Sequence, residues 1–227
     1  MAVVVAIAVG LLLATRPGSS TPPPAARSAG DDGAPPALVA AADAVGFAPT
    51  TEPGVGVVET MPASAAAPPS NPSLLDAGSK APAFSLRTPQ GEVVRLADYR
   101  GKAVLLEFFT TWCPHCNAQA PYLVDLYRSL PKSRYAFLSV NADGEDAASV
   151  FAYHRYFGMP FPALLDPSSQ PGSFHEQGAP GPVTTAYHVL SYPTFYVLDP
   201  TGRVTWSGDG EQPDALLRQE LARAAGG

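Results

Sequence analysis

The sequence predicts an α/β fold: a mixed central sheet flanked by helices, formed by residues 76–227. Three observations lead there. Short strand patterns alternate with amphipathic helix patterns from Asp76 onward, the segment Ala103–Phe109 is apolar at nearly every position, and the chain closes on a hairpin followed by a helix. A near-continuous apolar strand is what a sheet covered on both faces requires.

Residues 1–15 read as a membrane anchor or signal segment. The run AVVVAIAVGLLLA at 2–14 carries no charge. As a helix it would reach roughly 20 Å, less than the ~30 Å hydrocarbon core. No clear A-x-A cleavage pattern follows it directly, which favours the anchor. Residues 16–75 read as a disordered Pro/Ala-rich linker, with TPPPAA, APPA and ASAAAPPSNPS and few large side chains; half of the chain's 26 prolines lie before residue 83. A flexible chain of that length has an end-to-end distance of roughly 40–45 Å, enough to hold a domain clear of a membrane.

Phe84–Leu86 and Glu92–Arg95 are expected as short strands around the turn Thr88-Pro-Gln-Gly91. Ala103–Phe109 follows as the central strand. Pro114–Leu130 has helical periodicity, with Ala118, Tyr122, Leu126 and Leu130 on one face. Tyr135–Val140 is the next strand. Asp146–Phe157 is a helix with Asp146 as N-cap and Gly158 as stop. Phe161–Leu165 is a short extended piece, and Pro167–Thr185 is irregular and rich in Gly and Pro. Thr194–Leu198, the turn Asp199-Pro-Thr-Gly202 and Arg203–Ser207 form a hairpin, and Pro213–Ala225 is a closing helix with Pro213 near its first turn.

The formal net charge is −6, and no cluster of Lys and Arg interrupts it. Nucleic acid and anionic membrane surfaces reward such clusters, so neither is expected as a partner through charge. The two cysteines, Cys113 and Cys116, are three residues apart. The loop they close is too short to restrain the unfolded chain, so their spacing suits redox chemistry better than stapling.

The segment Glu107-Phe-Phe-Thr-Thr-Trp-Cys113-Pro-His-Cys116 lies where the central strand ends and a helix begins. A thiol at a helix N-terminus faces unsatisfied backbone N–H groups and the positive end of the helix dipole, which favour its thiolate. The second sulfur, one turn along, is within reach of a disulfide. Pro114 suits the first turn, and His115 adds a positive charge that further stabilises the thiolate. Cys113 is therefore expected to attack a substrate disulfide, and Cys116 to resolve the mixed disulfide. Glu107 falls inside the covered strand, where burial raises a carboxyl toward neutrality and equips it to exchange a proton with Cys116. A zinc site is the competing reading of a C-x-x-C pair. It wants four ligands, and neither a second such pair nor a close pair among His115, His154, His175 and His188 supplies them.

Residues 78–116 carry G-x-x-A-P-x-F-x-L and then G-x-x-V-x-L-x-x-Y-x-G-K-x-V-L-L-x-F-F-x-x-W-C-x-x-C; Phe161–Asp166 and Tyr192–Gly202 continue the pattern. Over about residues 76–225 this resembles the membrane-anchored thioredoxin-like proteins of the TlpA and ResA type, within the redoxin superfamily. The resemblance implies a thioredoxin fold with an N-terminal β-hairpin extension and a cis bond before Pro193, packed against the disulfide. It implies that Tyr192 offers its backbone to an extended substrate and that Trp112 flanks the exposed sulfur. Glu107 stands where thioredoxin has a buried aspartate. Protein dithiols and disulfides are the implied substrates, with a membrane redox partner, cytochrome c assembly as one pathway, an extracytoplasmic location, and no cofactor or metal beyond the redox-active Cys113–Cys116 disulfide.

Three features depart from the pattern. Pro114-His115 resembles the dipeptide of the oxidising enzyme DsbA, Tyr192 replaces a smaller residue, and Pro167–Thr185 is longer than usual. The direction of electron flow stays open on these grounds. Two other chemistries stay in view. A peroxiredoxin-like peroxidase has the signature P-x-x-x-T-x-x-C; Thr110 fits it, but Leu106 stands where the proline belongs. A metal-carrying module would use Cys113, Cys116 and a histidine, and the relatives that carry copper space their cysteines one residue further apart.

Overall fold

Ala103–Phe109 (β3) is buried at all seven positions, and the other strands are laid out from it. The computed structural model describes residues 33–50 and 74–226. β3 pairs in parallel with Tyr135–Asn141 (β4) and antiparallel with Thr194–Leu198 (β6). Beyond β4 lies Ala163–Leu165 (β5), which meets the hairpin of Ser85–Arg87 (β1) and Val93–Arg95 (β2). Beyond β6 lies Val204–Asp209 (β7). The sheet is mixed, in the order β2-β1-β5-β4-β3-β6-β7.

Side chains alternate across a strand, so β3 feeds two cores. Ala103, Leu105 and Phe109 join a cluster with Pro114–Ser129 (α2), Ala147–Phe157 (α3) and Asp214–Ala224 (α5). Val104, Leu106 and Phe108 join another with Leu86, Leu96, Tyr187 and Val189. Glu107 shares the phase of Leu105 and Phe109, so its carboxyl enters the helical core, which also holds both cysteines.

Local signals act as anticipated in α3. Asp146 accepts the N–H groups of Ala148 and Ser149 at 2.9 and 3.0 Å, and Gly158 ends the helix in the left-handed region at φ 63°. In α2 the face is different. Its buried stripe is Cys116, Asn117, Gln119, Ala120, Leu123, Val124 and Leu126, while Ala118 and Tyr122 are only half-buried. Apolar periodicity missed the stripe because Gln119, a polar residue, is wholly buried, with Nε2 donating to the Gln212 carbonyl and Oε1 accepting the Gln212 N–H. The irregular Gly/Pro stretch also ends in a short helix, Pro182–Ala186 (α4), opened by Pro182 and held by Asp166, whose carboxylate accepts the Val183 and Thr184 N–H groups.

The linker reading of residues 16–75 fails for residues 33–50. Pro36–Val45 (α1) is a helix: proline opens it, a run of Ala, Leu and Val sustains it, and Gly46 closes it at φ 63°. The run has no core of its own and takes one from α3. Ala42 packs on Phe151 and Ala152, and Asp43 pairs with Arg155. Phe47 then inserts among Tyr153, Tyr156, Phe157 and Phe174, with centroids 5.0–6.1 Å away. The anchor or signal reading of residues 1–15 and the linker reading of 16–32 and 51–73 lie outside the described residues. Among the described residues no helix is long and apolar enough to cross a membrane.

Candidate active site

Because β3 and β4 are parallel, their C-terminal ends open on the same edge of the sheet, and the chemistry gathers there. Cys113 is the N-cap of α2 and Pro114 its first residue. Both cysteines are free thiols; Cys116 is fully enclosed and Cys113 is 5% exposed. The Cys113 thiol is pulled down to about 7, chiefly by the hydrogen bond from the Cys116 thiol, against its own burial. The N–H groups of Cys116 and His115 and the charge of His115 add to the pull. The Cys116 thiol is pushed well above its ordinary value, first by burial and then by Cys113 and Glu107. One sulfur is thus prepared to be a thiolate at neutral pH and the other to keep its proton.

Glu107 lies beneath them, fully buried. Burial raises its carboxyl to about 7, only partly opposed by the Ser139 hydroxyl, which donates to Oε2; charge on Cys113 raises it further. Its Oε1 has no hydrogen-bond partner.

On the far side of Cys113 the Tyr192–Pro193 bond is cis, and the Tyr192 carbonyl accepts the Cys113 thiol at 3.5 Å. The Trp112 indole and the Tyr192 ring meet edge to face at 6.0 Å. The Cys113 sulfur is therefore not exposed, contrary to the expectation for Trp112. Tyr192 and Trp112, in contact with each other, both pack against the core cluster that contains Cys113 and form its roof. Leu190, two residues upstream of Tyr192, is 74% exposed on the same loop.

The structure adds residues that the sequence reading passed over. Asp143, fully buried, accepts the Trp112 Nε1–H at 2.9 Å and the Gly178 N–H at 3.0 Å. Glu145 accepts both the N–H and the hydroxyl of Thr111 and the amide of Asn141, and so holds the turn that precedes Cys113. Burial, the first cause, raises Glu145 to about 7. Tyr153 donates its hydroxyl to the Cys116 carbonyl at 3.1 Å. The signal for Asp143 and Glu145 was available: acidic residues just past the end of a parallel strand next to β3 must open on the same edge as Cys113.

The connection Asp209–Gln212 joins the two halves of the site. Gly210 N–H donates to the Pro193 carbonyl at 2.7 Å and the Ser191 hydroxyl to Asp209 at 3.3 Å. On the helix side Glu211 meets His115 Nδ1 at 2.7 Å, and Gln212 clasps Gln119. Among the described residues no three His, Cys, Asp or Glu side chains are grouped so as to hold a metal ion.

Residues 77–207 match the AhpC/TSA family. The chain is 38% identical over 127 residues to the thiol-disulfide oxidoreductase ResA of Geobacillus kaustophilus, covering 56% of this chain and 66% of that protein. It is 37% identical over 144 residues to ResA of Geobacillus thermodenitrificans, covering 63% and 75%. Among solved structures, the pneumococcal exposed lipoprotein thioredoxin of Streptococcus pneumoniae superposes with a TM-score of 0.51 at 27% identity, over 63% of this chain and 99% of that one. A thiol:disulfide interchange protein of the thioredoxin family from Chlorobium tepidum gives 0.52 at 23% identity, over 66% and 98%, a likeness of fold.

Proposed function

The chain belongs to the AhpC/TSA family and is a thiol–disulfide oxidoreductase of the ResA type, and on that premise we propose that Cys113 and Cys116 are its reacting dithiol. The observation that carries this reading is the split between the two thiols, one lowered to about 7 at a helix N-terminus and the other raised by enclosure.

In the reducing direction the Cys113 thiolate attacks one sulfur of a substrate disulfide. The other substrate sulfur leaves as a thiolate and takes a proton. Cys116 then gives up its proton and attacks the Cys113 sulfur, releasing the second substrate thiolate; the dithiol has lost two electrons and the substrate disulfide has gained them. Glu107 is the proposed acceptor of the Cys116 proton. Its carboxyl near 7 is half-ionised at neutral pH, and its free Oε1 leaves room for one more proton. The reverse sequence oxidises a dithiol. Pro114 opens the helix that carries the dithiol and His115 adds to the thiolate's stability, while Trp112, Tyr192 and Pro193 receive an extended segment of the partner protein.

We place the enzyme outside the cytoplasm, held at a membrane through residues 1–15 and working with a membrane redox partner. The apolar run at residues 2–14 and the ResA likeness support that reading. The test of direction is the reduction potential of the Cys113–Cys116 couple in a glutathione or dithiothreitol buffer. A value above roughly −150 mV, near that of DsbA, makes the enzyme a disulfide donor. A value below roughly −220 mV makes it a reductant, with cytochrome c assembly the leading pathway. Cys113→Ala is expected to abolish exchange and Cys116→Ala to accumulate mixed disulfides; full activity in Cys113→Ala refutes the assignment.

A further inference from the structure

Two segments of this chain lie outside the strands and helices that carry the dithiol. One is the strap of residues 33–50; the other is the long stretch 167–181 between β5 and α4. Each reaches one side of the site.

The strap works through the Cys116 side. Phe47 packs edge-on against Tyr153 at 5.4 Å, and the Tyr153 hydroxyl donates to the Cys116 carbonyl. Three residues further on, the Thr50 carbonyl accepts the side-chain amide of Asn117 at 3.2 Å, one residue past Cys116. The stretch 167–181 works through the Cys113 side. Gly172 N–H donates to the Asp143 carbonyl at 2.8 Å, and Gly178 N–H to its carboxylate. Both glycines press so close that an added Cβ would lie 2.3 Å from Asp143 Oδ2 at Gly172 and 2.6 Å from Asp143 O at Gly178. Asp143 is thereby held, and it in turn holds the Trp112 indole by its N–H. The two segments touch each other at Phe47 and Phe174, whose rings lie 5.0 Å apart.

We propose that the strap and the stretch 167–181 form one clamp around the dithiol, joined at Phe47 and Phe174, which admits protein disulfides and holds off small ones. This rests on the reading of Cys113 as the attacking thiol. That thiol is roofed by Trp112 and Tyr192, so any substrate must lift the roof before a sulfur can approach it. A protein partner draws the free energy for this from contacts remote from its disulfide; a small disulfide makes no such contacts. Loosening the clamp lowers the barrier for the small substrate and leaves the protein substrate little changed.

The test compares reduced full-length protein with its Phe47→Ala and Phe47→Leu variants against two probes, oxidised glutathione and the disulfides of insulin. Phe47→Leu keeps an apolar side chain at the joint and guards against loss of fold; Phe174→Leu opens the same joint from the other side. The glutathione rate is expected to rise roughly two- to tenfold in each, the range one aromatic pair is worth, with the insulin rate within twofold of wild type. In a Trp206→Phe background, which leaves Trp112 as the single tryptophan, its emission is expected to move to the red. An unchanged glutathione rate in all three variants, or equal acceleration toward both probes, overturns the clamp alone. A wild-type protein inert toward both probes overturns the exchange reading and the clamp with it.

Discussion

Replacing Glu107 by Gln isolates the cost of a buried charge. The carboxyl titrates near 7 in the folded protein and near 4.5 when exposed. The folded state therefore binds the extra proton between those values, and its stability falls as pH rises through that window. A difference of this size corresponds to about 3 kcal/mol once both states are ionised. Burial is complete, so solvent screening does not reduce it. Most of the loss falls between pH 5 and 8, about 2–3 kcal/mol. Glutamine has nothing to titrate. It keeps an acceptor for the Ser139 hydroxyl and places an unpartnered amide where Oε1 was, a penalty that does not depend on pH. Glu145 and Cys113 titrate in both proteins and cancel to first order. Urea unfolding of the reduced proteins at several pH values from 5 to 8 should thus show wild type losing stability relative to Glu107→Gln by that amount. Parallel curves would mean that Glu107 is not held protonated by burial. The reasoning for its proton transfer would go with them, since that role also predicts that Glu107→Gln slows resolution more than it slows first attack.

Three further outcomes follow from the geometry. Alkylation of the reduced protein at pH 7 should modify Cys113 first, with roughly fifty times the thiolate fraction of a thiol at its ordinary value, and its rate should level off above about pH 7; mass-mapped equal labelling of Cys116 contradicts this. Asp146→Ala removes both cap bonds of α3 and should lower stability by about 1 kcal/mol, read as a shift of the urea midpoint at unchanged slope. Gly178→Ala places a Cβ 2.1 Å from the Gly172 nitrogen, so the stretch 167–181 must move off Asp143; susceptibility of that stretch to proteolysis should rise while the sheet keeps its far-ultraviolet dichroism.

Much of this is legible in the sequence. The central strand, the caps of α3, the closing hairpin and the dithiol at a strand-to-helix junction rest on local rules of period, capping and spacing, and local rules survive folding. What was not legible depends on a second segment. Gln119 reads as surface until Gln212 is placed against it. Pro36–Val45 reads as linker because its apolar residues have no partner nearby in the sequence; α3 supplies one. For Asp143 and Glu145 the place past the end of a strand is readable, but their bonds to the Trp112 indole and to Thr111 are not. The exposure of Cys113 was misjudged for the same reason, since the roof over it is made by residues 112 and 192 together.

The connection from Asp209 to Gln212 has a consequence for motion. Loops are usually where a protein opens first, because their amides are answered by water. Here the Gly210 amide is answered by Pro193 and the Gln212 amide by the buried Gln119, so the segment cannot fray without breaking contact with the proline loop and the dithiol helix together. Those amide protons should exchange with solvent at the pace of the core strands, with an opening free energy close to that of global unfolding. With the proline loop and the dithiol helix tied together in this way, the freedom needed to bind and release a partner falls to the roof.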